Sequence, residues 1–435
     1  MTTPLTIASV ERIRVHVPFT ERSRPWNNVL VGGWGHIELC KVTTSSGVVG
    51  WGETLLTYTW KLVDDAAVAR VTGKPLFDHL WDDSLGAGLQ LALLDAAGKA
   101  LGVPAHRLLG LPQVRQSMPL AWWSTKMPPE VLAEEAAEAA SRGYRAHKFK
   151  ARPWFDVDDQ VAQASAATPD DYSFGIDWNS LLLSSAGARP VLERLDGNSR
   201  VHFFEGAVGR AQIADQKDLR GRFTTPLVEH YDAALFPTWM TENALDGFVV
   251  DTGGISRFLH MGATCAAFNK EFWLQIVGTG ITTAFALQLS AVLTHARWPS
   301  VTALNVFEST LVTESMEPTL GLLAIPTAPG LGVTIDEEAV ERYRVGDDYR
   351  VELPRTILVF RRPDGASRDY ASINHLWQEC LDDGTMGVQS PGARLDIVED
   401  DGGSEFAERF AEAGARFSGT GVPWPALTFY PGLDT

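Results

Sequence analysis

The chain has 435 residues, of which 45% are hydrophobic and 21% are charged, as is typical of a globular protein with a sizeable core. Its formal net charge of -17 argues against nucleic acid or an anionic membrane surface as a partner. The three cysteines are widely spaced, so the sequence predicts neither a disulfide framework nor a cysteine zinc site. Without a signal-peptide pattern or an apolar run of about 20 residues, we expect a soluble, cytoplasmic protein.

Residues 1–115 are predicted to form a small α+β domain. Residues 6–17 alternate as a β-strand does, and residues 34–53 have the pattern of a β-hairpin with its turn at positions 45–47. The intervening segment 22–33 is rich in Pro, Asn and Gly, and we predict a mobile loop there. Residues 86–110 carry leucines and alanines at helical spacing. Strands followed by helices favour the α+β class.

Residues 116–344 alternate between short apolar segments and amphipathic segments, which indicates repeated βα units. Eight such units predict an α/β fold of the (β/α)8 TIM-like barrel type. A doubly wound open sheet is the alternative, but no glycine-rich phosphate turn follows the first strand. The predicted strands are 118–123, 144–150, 172–178, 201–205, 225–229, 246–251, 272–276 and 302–307, with helices that include 130–142, 254–267 and 281–296.

Residues 345–435 are predicted to be a C-terminal extension. Within it, residues 355–372 have the pattern of a β-hairpin whose turn is Pro-Asp-Gly at positions 363–365. The sequence assigns no function to this extension.

Polar residues stand at the carboxyl ends of the predicted strands, where the active sites of such barrels lie. Lys148 and Lys150 are two positions apart, so both leave one face of their strand. The other polar residues at strand ends are Asp177 with Asn179, Glu205, Glu229 with His230, Asp251, Gln275 and Glu308.

Three of these residues predict a metal site. Asp177, Glu205 and Glu229 follow successive strands at intervals of about one βα unit. Each residue alone could simply cap a helix, but three carboxylates at the ends of successive strands favour a common function. Converging carboxylates repel one another, and a hard divalent cation removes that cost. All-oxygen donors without cysteine favour Mg²⁺ over Zn²⁺.

The chain resembles the enolase superfamily and, within it, the mandelate racemase/muconate lactonizing enzyme group. The resemblance covers roughly residues 6–344 and rests on the segments LALLDAAGKALGVPAHRLLG, HKFK, GIDWN, FFEG and PLVEHYD. It implies that the N-terminal domain caps the barrel and that the three carboxylates bind Mg²⁺. It also implies that Lys150 is the base, with Lys148 beside it. Members of this family form oligomers, so a homo-oligomer is expected, with residues 86–110 as the contact region.

The chain also departs from the family. Gln275 stands where many racemases and acid-sugar dehydratases have a histidine, although their aspartate on the preceding strand is present as Asp251. The end of that preceding strand also lacks the lysine of the cycloisomerases. An amide has no useful pKa, so Gln275 could only hydrogen-bond the substrate or hold Asp251. One face of the enolate would then lack a base.

The resemblance implies a Mg-dependent lyase or isomerase that removes the proton next to the carboxylate of a small-molecule substrate, through an enolate. We favour dehydration of a sugar acid, because His230 after Glu229 is similar to the Glu-His pair of acid-sugar dehydratases. The alternatives are a racemase or epimerase, a cycloisomerase, and a catalytically silent metal-binding barrel. The predicted catalytic residues are Lys150, Lys148, His230 and Asp251. The predicted substrate contacts are Asn179, Gln275 and Glu308, and Lys150, His230 and Glu308 are candidate acids.

Overall fold

The computed structural model describes residues 5–251 and 253–416. The strands in these ranges are β1 Ile7–His16, β2 His36–Thr44, β3 Val49–Leu55, β4 Ser117–Pro119, β5 Trp122–Trp123, β6 Ala146–Lys150, β7 Ser173–Asp177, β8 Val201–Glu205, β9 Leu227–His230, β10 Gly247–Val250, β11 Glu271–Leu274, β12 Leu322–Ala324, β13 Thr356–Arg361, β14 Ser367–Tyr370 and β15 Arg394–Glu399. The helices are α1 Arg24–Val31, α2 Asp65–Val71, α3 Ala87–Leu101, α4 Pro129–Ser141, α5 Val157–Ala166, α6 Ser185–Leu195, α7 Ile213–Arg222, α8 Phe236–Glu242, α9 Ile255–Ala267, α10 Gly280–Ser290, α11 Glu337–Tyr343, α12 Ile373–Asp382 and α13 Ser404–Ala415.

The N-terminal region contains an antiparallel sheet in the order β1–β2–β3, which confirms the predicted hairpin. Helix α3 packs on this sheet at very short range, because Gly50 and Gly52 of β3 have no side chain. A Cβ atom on Gly52 would lie 2.0 Å from the carbonyl oxygen of Gly88 in α3. Most of α3 is buried inside the single chain, so it leaves little surface for the expected subunit contact. The homo-oligomer itself stays a prediction.

The prediction of a mobile loop over residues 22–33 is wrong. Residues 24–31 form helix α1, with Pro25 in its first turn, where a proline is compatible with a helix. Trp26 is buried, and its ring centroid lies 6.0 Å from that of Phe155. The helix is therefore stabilised by tertiary packing, which the Pro, Asn and Gly content of the segment does not indicate.

Strands β5 to β11 form one parallel sheet in sequential order. Seven of the eight predicted strands overlap strands of this sheet, although the first contributes only β5, while β4 pairs with β12 in a separate sheet. The helix predicted over 281–296 ends earlier, at Ser290.

The eighth predicted strand, 302–307, is wrong, because residues 304–306 form a 3-10 turn. Ala303 has a left-handed backbone with a φ of 52°, which ends the extended segment before it. The inter-strand hydrogen bonds come from earlier residues instead. The Val301 amide donates to the Leu274 carbonyl over 2.9 Å, and the Ser300 carbonyl accepts from the Ala121 amide over 2.9 Å. Residues 300–301 therefore bond to both edges of the parallel sheet.

Aromatic rings fill the space below the carboxyl end of the parallel sheet. The rings of Phe203 and Trp273 stack with centroids 4.5 Å apart, and Trp298 lies 6.0 Å from Trp273. Gly175 makes room for this packing, since a Cβ atom there would lie 2.1 Å from the Phe203 ring. These rings form an apolar floor under the charged residues of the strand ends.

The C-terminal extension forms a sheet in the order β14–β13–β15, with helices α12 and α13. The predicted hairpin is confirmed as β13–β14, and Gly365 in its turn has a φ of 87°. Trp377 of α12 meets Trp154 edge to face at 4.8 Å, so the extension packs on the loop after β6. The proposed domain limits at 115 and 344 stay predictions.

Within the described ranges, no helix is both long and apolar enough to cross a membrane. Cys40, Cys265 and Cys380 are buried and unbridged.

Candidate active site

The register of the parallel sheet aligns the predicted site residues. Lys150 pairs with Asp177 across β6 and β7, and Asp177 pairs with Glu205 across β7 and β8. Glu205 in turn pairs with Val228, so Glu229 lies one position beyond this row. The carboxyl ends of four neighbouring strands therefore bring the two lysines and three carboxylates together.

Lys148 is fixed by two partners. Its Nζ lies 2.7 Å from Oε1 and 2.6 Å from Oε2 of Glu205, and it donates to Gln275 Oε1 over 2.6 Å. It also lies 5.4 Å from the centre of the Trp273 ring. The Lys148 side chain is 1% exposed.

Lys150 is more accessible, with 15% of its side chain exposed, and its Nζ donates to Asp177 Oδ2. Burial lowers the pKa of Lys150, while Asp177 opposes that shift and Lys148 adds to it. Burial alone would raise the pKa of Asp177. Lys150, Lys148 and Arg152 outweigh burial and hold that pKa far below its usual range.

The third carboxylate, Glu229, accepts from Arg210 Nε over 3.2 Å and from the His230 amide over 2.8 Å. Burial raises the pKa of Glu229, and Arg210 opposes that shift. The protein thus offers a cationic partner to each of the three carboxylates.

His230 lies between two carboxylates. Its Nδ1 is 2.6 Å from Asp251 Oδ2, and its Nε2 is 3.2 Å from Glu205 Oε1. Burial would lower the pKa of His230, but Asp251 and Glu205 raise it to about 9. At neutral pH the ring therefore carries a proton on each nitrogen.

Gln275 does not take the role of holding Asp251. Its Oε1 accepts from Lys148, and its Nε2 donates to the Tyr58 hydroxyl over 3.1 Å. His230 holds Asp251 instead, so the aspartate on β10 is paired with a histidine from β9.

Asn179 and Glu308, two of the predicted substrate contacts, lie in different surroundings. Asn179 has a φ of 48°, and its amide donates to Asp177 Oδ1 over 2.8 Å, so it orients that carboxylate. Glu308 is exposed, and its backbone amide donates to the Pro18 carbonyl over 2.9 Å. Substrate contact by either residue stays a prediction.

The donor chemistry suits a hard cation, but the present positions do not enclose one. In the part of the chain that the structure describes, no three His, Cys, Asp or Glu side chains are arranged to hold a metal ion. The carboxylates are instead turned toward Lys150, Lys148 and Arg210. One acceptor is left over. Glu205 Oε2 is buried without a hydrogen bond of good geometry, although Lys148 Nζ is close. A divalent cation would fit this all-oxygen set by replacing the Lys150 contact of Asp177 and the Arg210 contact of Glu229, with Glu205 Oε2 as the third donor.

Sequence reasoning missed several polar residues of the site. Arg152 donates through Nη1 to the carbonyls of Ala151 and Asp177 over 2.6 and 3.2 Å, and through Nη2 to Asn179 Oδ1. The sequence feature that could have identified Arg152 is its position two residues after Lys150. Arg210 and Tyr58 lie in loops, where no periodicity points to a side chain's direction.

A pocket lies between the N-terminal region and the ends of β10 and β11. It is lined by Glu53, Leu55, Tyr58, Thr59, Trp60, Ala87, Asp251, Gln275, Ile276, Val277 and Thr282. Glu53 accepts from the amide and hydroxyl of Thr279 over 2.7 and 2.9 Å, which ties β3 to the start of α10. The N-terminal region therefore supplies one wall of a pocket whose lining also includes Asp251 and Gln275.

The fold and site define a class: a parallel α/β protein whose buried lysines, charged histidine and carboxylates at the strand ends are suited to proton transfer. Residues 131–339 match the family model described as enolase C-terminal domain-like. The arabinonate dehydratase of Saccharolobus solfataricus is 25% identical over 342 residues, which are 70% of this chain and 89% of that protein. The o-succinylbenzoate synthase of Geobacillus kaustophilus is 24% identical over 337 residues, 70% of this chain and 88% of that protein.

Among solved structures, 2-chloromuconate cycloisomerase from Rhodococcus opacus 1CP superposes with a TM-score of 0.65 at 22% identity. The match covers 79% of this chain and 100% of that one. The resemblance to the enolase superfamily inferred from the motifs is confirmed, and the family match is carried by residues 131–339.

Proposed function

We propose that this protein is a Mg-dependent lyase that removes the proton next to a substrate carboxylate and then expels a hydroxyl group, so that a sugar acid is dehydrated. The observation that carries this proposal is the row formed by Lys150, Asp177 and Glu205, with Lys148 and Glu229 on either side. This row supports the proposal because an amine that could act as a base lies beside oxygen donors suited to a hard cation.

Asp177, Glu205 and Glu229 would hold the Mg²⁺. When bound, the ion supplies a positive charge that stabilises the negative charge developing on the substrate's carboxylate oxygens. Lys148 would remain beside Glu205 and add a second positive charge, buried above the Trp273 ring.

Lys150 is assigned as the base. Its ammonium group is the more accessible of the two on β6, and it has one side-chain hydrogen bond where Lys148 has two. Neutral Lys150 Nζ would accept the proton from the carbon next to the substrate carboxylate. The electron pair of that C–H bond then moves into the enolate.

His230 is assigned as the acid for the departing hydroxyl. Asp251 holds its Nδ1, and its Nε2 proton faces Glu205. Exchange of that Glu205 contact for the substrate hydroxyl would let Nε2 donate, so that water leaves as the C–O bond breaks. The pairing with Asp251 then returns the imidazole to its charged state once a proton is regained.

Dehydration is favoured over isomerisation for two reasons. Gln275 cannot act as a base on the second face, and its amide is occupied by Lys148 and Tyr58. One similar protein is named arabinonate dehydratase, which makes sugar acids the first substrates to test. The similarity to a cycloisomerase structure, at 22% sequence identity, supports a shared fold and does not bear on the reaction.

We also propose that the parallel sheet closes into a complete (β/α)8 barrel capped by the N-terminal domain. The hydrogen bonds of Ser300 and Val301 to both sheet edges support closure. The Tyr58–Gln275 and Glu53–Thr279 contacts support the cap.

Proton exchange in heavy water tests the proposed reaction. The protein with Mg²⁺ is incubated with arabinonate and related sugar acids, and NMR follows both loss of the proton next to the carboxylate and formation of a 2-keto-3-deoxy acid. We expect both signals for one stereoisomer. Lys150→Met should abolish them while calorimetry still detects bound Mg²⁺, and the surface variant Lys217→Met should match the unmodified protein. Exchange of both stereoisomers at comparable rates, or persistence in Lys150→Met, would contradict the assignment.

A further inference from the structure

A series of hydrogen bonds joins the mouth of the parallel sheet to the N-terminal region. Lys148 Nζ on β6 donates to Gln275 Oε1, just after β11, over 2.6 Å. Gln275 Nε2 then donates to the hydroxyl oxygen of Tyr58, just after β3, over 3.1 Å. Lys148 and Gln275 are both buried, so these bonds are largely shielded from competing water.

The direction of this series is fixed by Lys148. An ammonium group has only donors, so it must face the oxygen of the Gln275 amide, and the amide nitrogen then faces Tyr58. The Tyr58 oxygen accepts that bond, so its hydroxyl proton is directed to an acceptor other than Gln275. Consecutive hydrogen bonds polarise one another, so the positive charge of Lys148 makes the Tyr58 hydroxyl a stronger donor.

Tyr58 is also held by its backbone and its ring. Its amide donates to the Leu55 carbonyl over 3.1 Å, and its ring centroid lies 5.1 Å from that of Trp34. Trp34 in turn lies 4.9 Å from Trp123 of β5. Aromatic contacts at these distances stabilise the position of the ring, so the hydroxyl is presented in a defined place.

The pocket that Tyr58 lines suits an uncharged polar group. Its lining includes the acidic side chains of Glu53 and Asp251, and among the lining residues that the structure describes there is neither a lysine nor an arginine. An anionic group of a substrate would therefore find no cationic partner in this lining. A hydroxyl group can instead accept from Tyr58 and donate its own proton to an acidic oxygen.

We propose that Tyr58 donates a hydrogen bond to a hydroxyl group of the bound substrate and that this contact selects hydroxylated acids. The proposal deepens the proposed function and rests on it for the carboxylate end of the substrate, which would lie toward Asp177, Glu205 and Glu229. The selected hydroxyl would lie on the β10–β11 side of the mouth. The N-terminal region would thus supply a substrate-binding donor, which Gln275 orients and Lys148 strengthens.

Two variants separate this role from a merely structural one. Tyr58→Phe keeps the ring against Trp34 but removes the donor. Gln275→Glu keeps the shape of the side chain and a partner for Lys148, but a carboxylate can only accept, so the Tyr58 proton turns toward it. The series of hydrogen bonds stays complete in Gln275→Glu, whereas the donor in the pocket is lost. Tyr343→Phe in α11 is the matched control.

Calorimetry with Mg²⁺ present compares arabinonate with its 4-deoxy and 5-deoxy analogues, after circular dichroism has shown that each variant is folded. We expect the unmodified chain and Tyr343→Phe to bind arabinonate at least about tenfold more tightly than one of the two analogues. Tyr58→Phe and Gln275→Glu should each remove that preference. A preference that persists in Tyr58→Phe or in Gln275→Glu, or its absence from the unmodified chain, would overturn the role of Tyr58.

The same ligands separate this proposal from the proposed reaction. Preference for the hydroxyl without proton exchange or loss of water would refute the reaction and leave the Tyr58 contact standing. Turnover of arabinonate with equal affinity for both analogues would refute the Tyr58 contact and leave the reaction standing. If none of the three acids binds, the Tyr58 contact falls together with the assignment of a sugar acid.

Discussion

Lys148 and Lys150 leave the same face of β6 but end in different surroundings. Lys148 is enclosed between Glu205, Gln275 and the Trp273 ring, whereas Lys150 reaches the mouth of the sheet with one carboxylate beside it. A side chain that must approach a substrate needs freedom, and one that neutralises a buried carboxylate needs a fixed position. The two lysines therefore suit different tasks.

This difference predicts unequal costs of substitution. Lys148→Met would leave Glu205 as a buried carboxylate with a lost partner, which costs about 3–5 kcal/mol of unfolding free energy. Lys150→Met should cost less, because Asp177 keeps its bond from the Asn179 amide and lies 3.5 Å from Lys148 Nζ. Urea denaturation without Mg²⁺ measures both. Equal losses for the two variants would show that the lysines share one environment.

His147 points away from the site and predicts a pH dependence of stability. Its Nε2 lies 2.8 Å from the Ser124 hydroxyl, and burial lowers its pKa from 6.5 to about 3. The unfolded chain therefore binds this proton below about pH 6.5 while the folded chain does not. Stability from this group is complete above pH 6.5 and is lost as the pH falls toward 3.

Between pH 6.5 and pH 5 the His147 proton should remove about 2 kcal/mol of unfolding free energy. Other groups titrate in this range, so the measurement is the difference between the unmodified chain and His147→Gln, each unfolded in urea across the pH series. We expect the two curves to converge as the pH is lowered. Parallel curves would mean that His147 is protonated in the folded protein.

Turn chemistry and strand alternation made much of the fold predictable. Gly47 and Gly365 both adopt positive φ in the turns where the sequence places them. The strand ends carrying Asp177, Glu205 and Glu229 were predictable because a parallel strand followed by a helix has a regular length. These signals are local, so a single sequence contains them.

Elements that depend on distant contacts were not predictable in this way. Helix α1 is held by packing of Trp26 against Phe155, and Ser300 and Val301 pair with strands that are far away in the sequence. His230 and Asp251 lie at the ends of neighbouring strands, and they meet because the register of the sheet brings their side chains to the same level. The number of residues between them does not define that register.

The tie between β3 and α10 rests on one carboxylate. Glu53 is buried and accepts from the amides and hydroxyls of Thr279 and Thr282, at distances from 2.7 to 3.1 Å. Four donors from the first turn of α10 thus meet one side chain of the N-terminal region. Such a contact fixes the pocket wall formed by Leu55 and Tyr58 over the strand ends.

Glu53→Gln should weaken this tie, because an amide directs two N–H donors at groups that are themselves donors. The expected loss is about 1–3 kcal/mol of unfolding free energy. Glu242→Gln, at a side chain that is 43% exposed, serves as the control and should be nearly neutral. Denaturation at pH 8 measures both. An unchanged midpoint for Glu53→Gln would indicate that Glu53 is held protonated in the folded protein.

The whole molecule carries a net charge of -17, yet Lys148, Lys150 and Arg152 lie at and just after the carboxyl end of β6. A negative surface does not attract anions from a distance, so any anion that binds here must be held by these local cations at short range. The extension contributes to this arrangement, since Trp377 covers Arg152 and Trp154.

Because 79% of this chain covers all of the similar cycloisomerase structure, about a fifth of this chain has no counterpart there. The C-terminal extension packs on the loop after β6. Its contacts with the rest of the chain are specific. Trp377 packs on Trp154, the Gly392 amide donates to Asp156 Oδ2 over 2.8 Å, and Leu353 fills the space beside Gly32. The extension therefore covers one face of the loop after β6 and of helix α1.

A chain ending at residue 344 should keep its parallel sheet but lose stability, because Trp154 and its neighbours become exposed. Re-exposure of about 100 Å² of apolar surface costs about 2–3 kcal/mol at about 25 cal/mol per Å². Thermal unfolding followed by circular dichroism should show a lower midpoint with little change in the folded spectrum, and a dye that binds apolar surface should bind more strongly. In the full chain, Trp377→Ala should shift the midpoint in the same direction, whereas Trp81→Ala, a tryptophan that is 44% exposed, should not. If the shortened chain unfolds at the same temperature as the full chain, the extension is an independent appendage, and its cover over Arg152 adds nothing to the stability of the mouth.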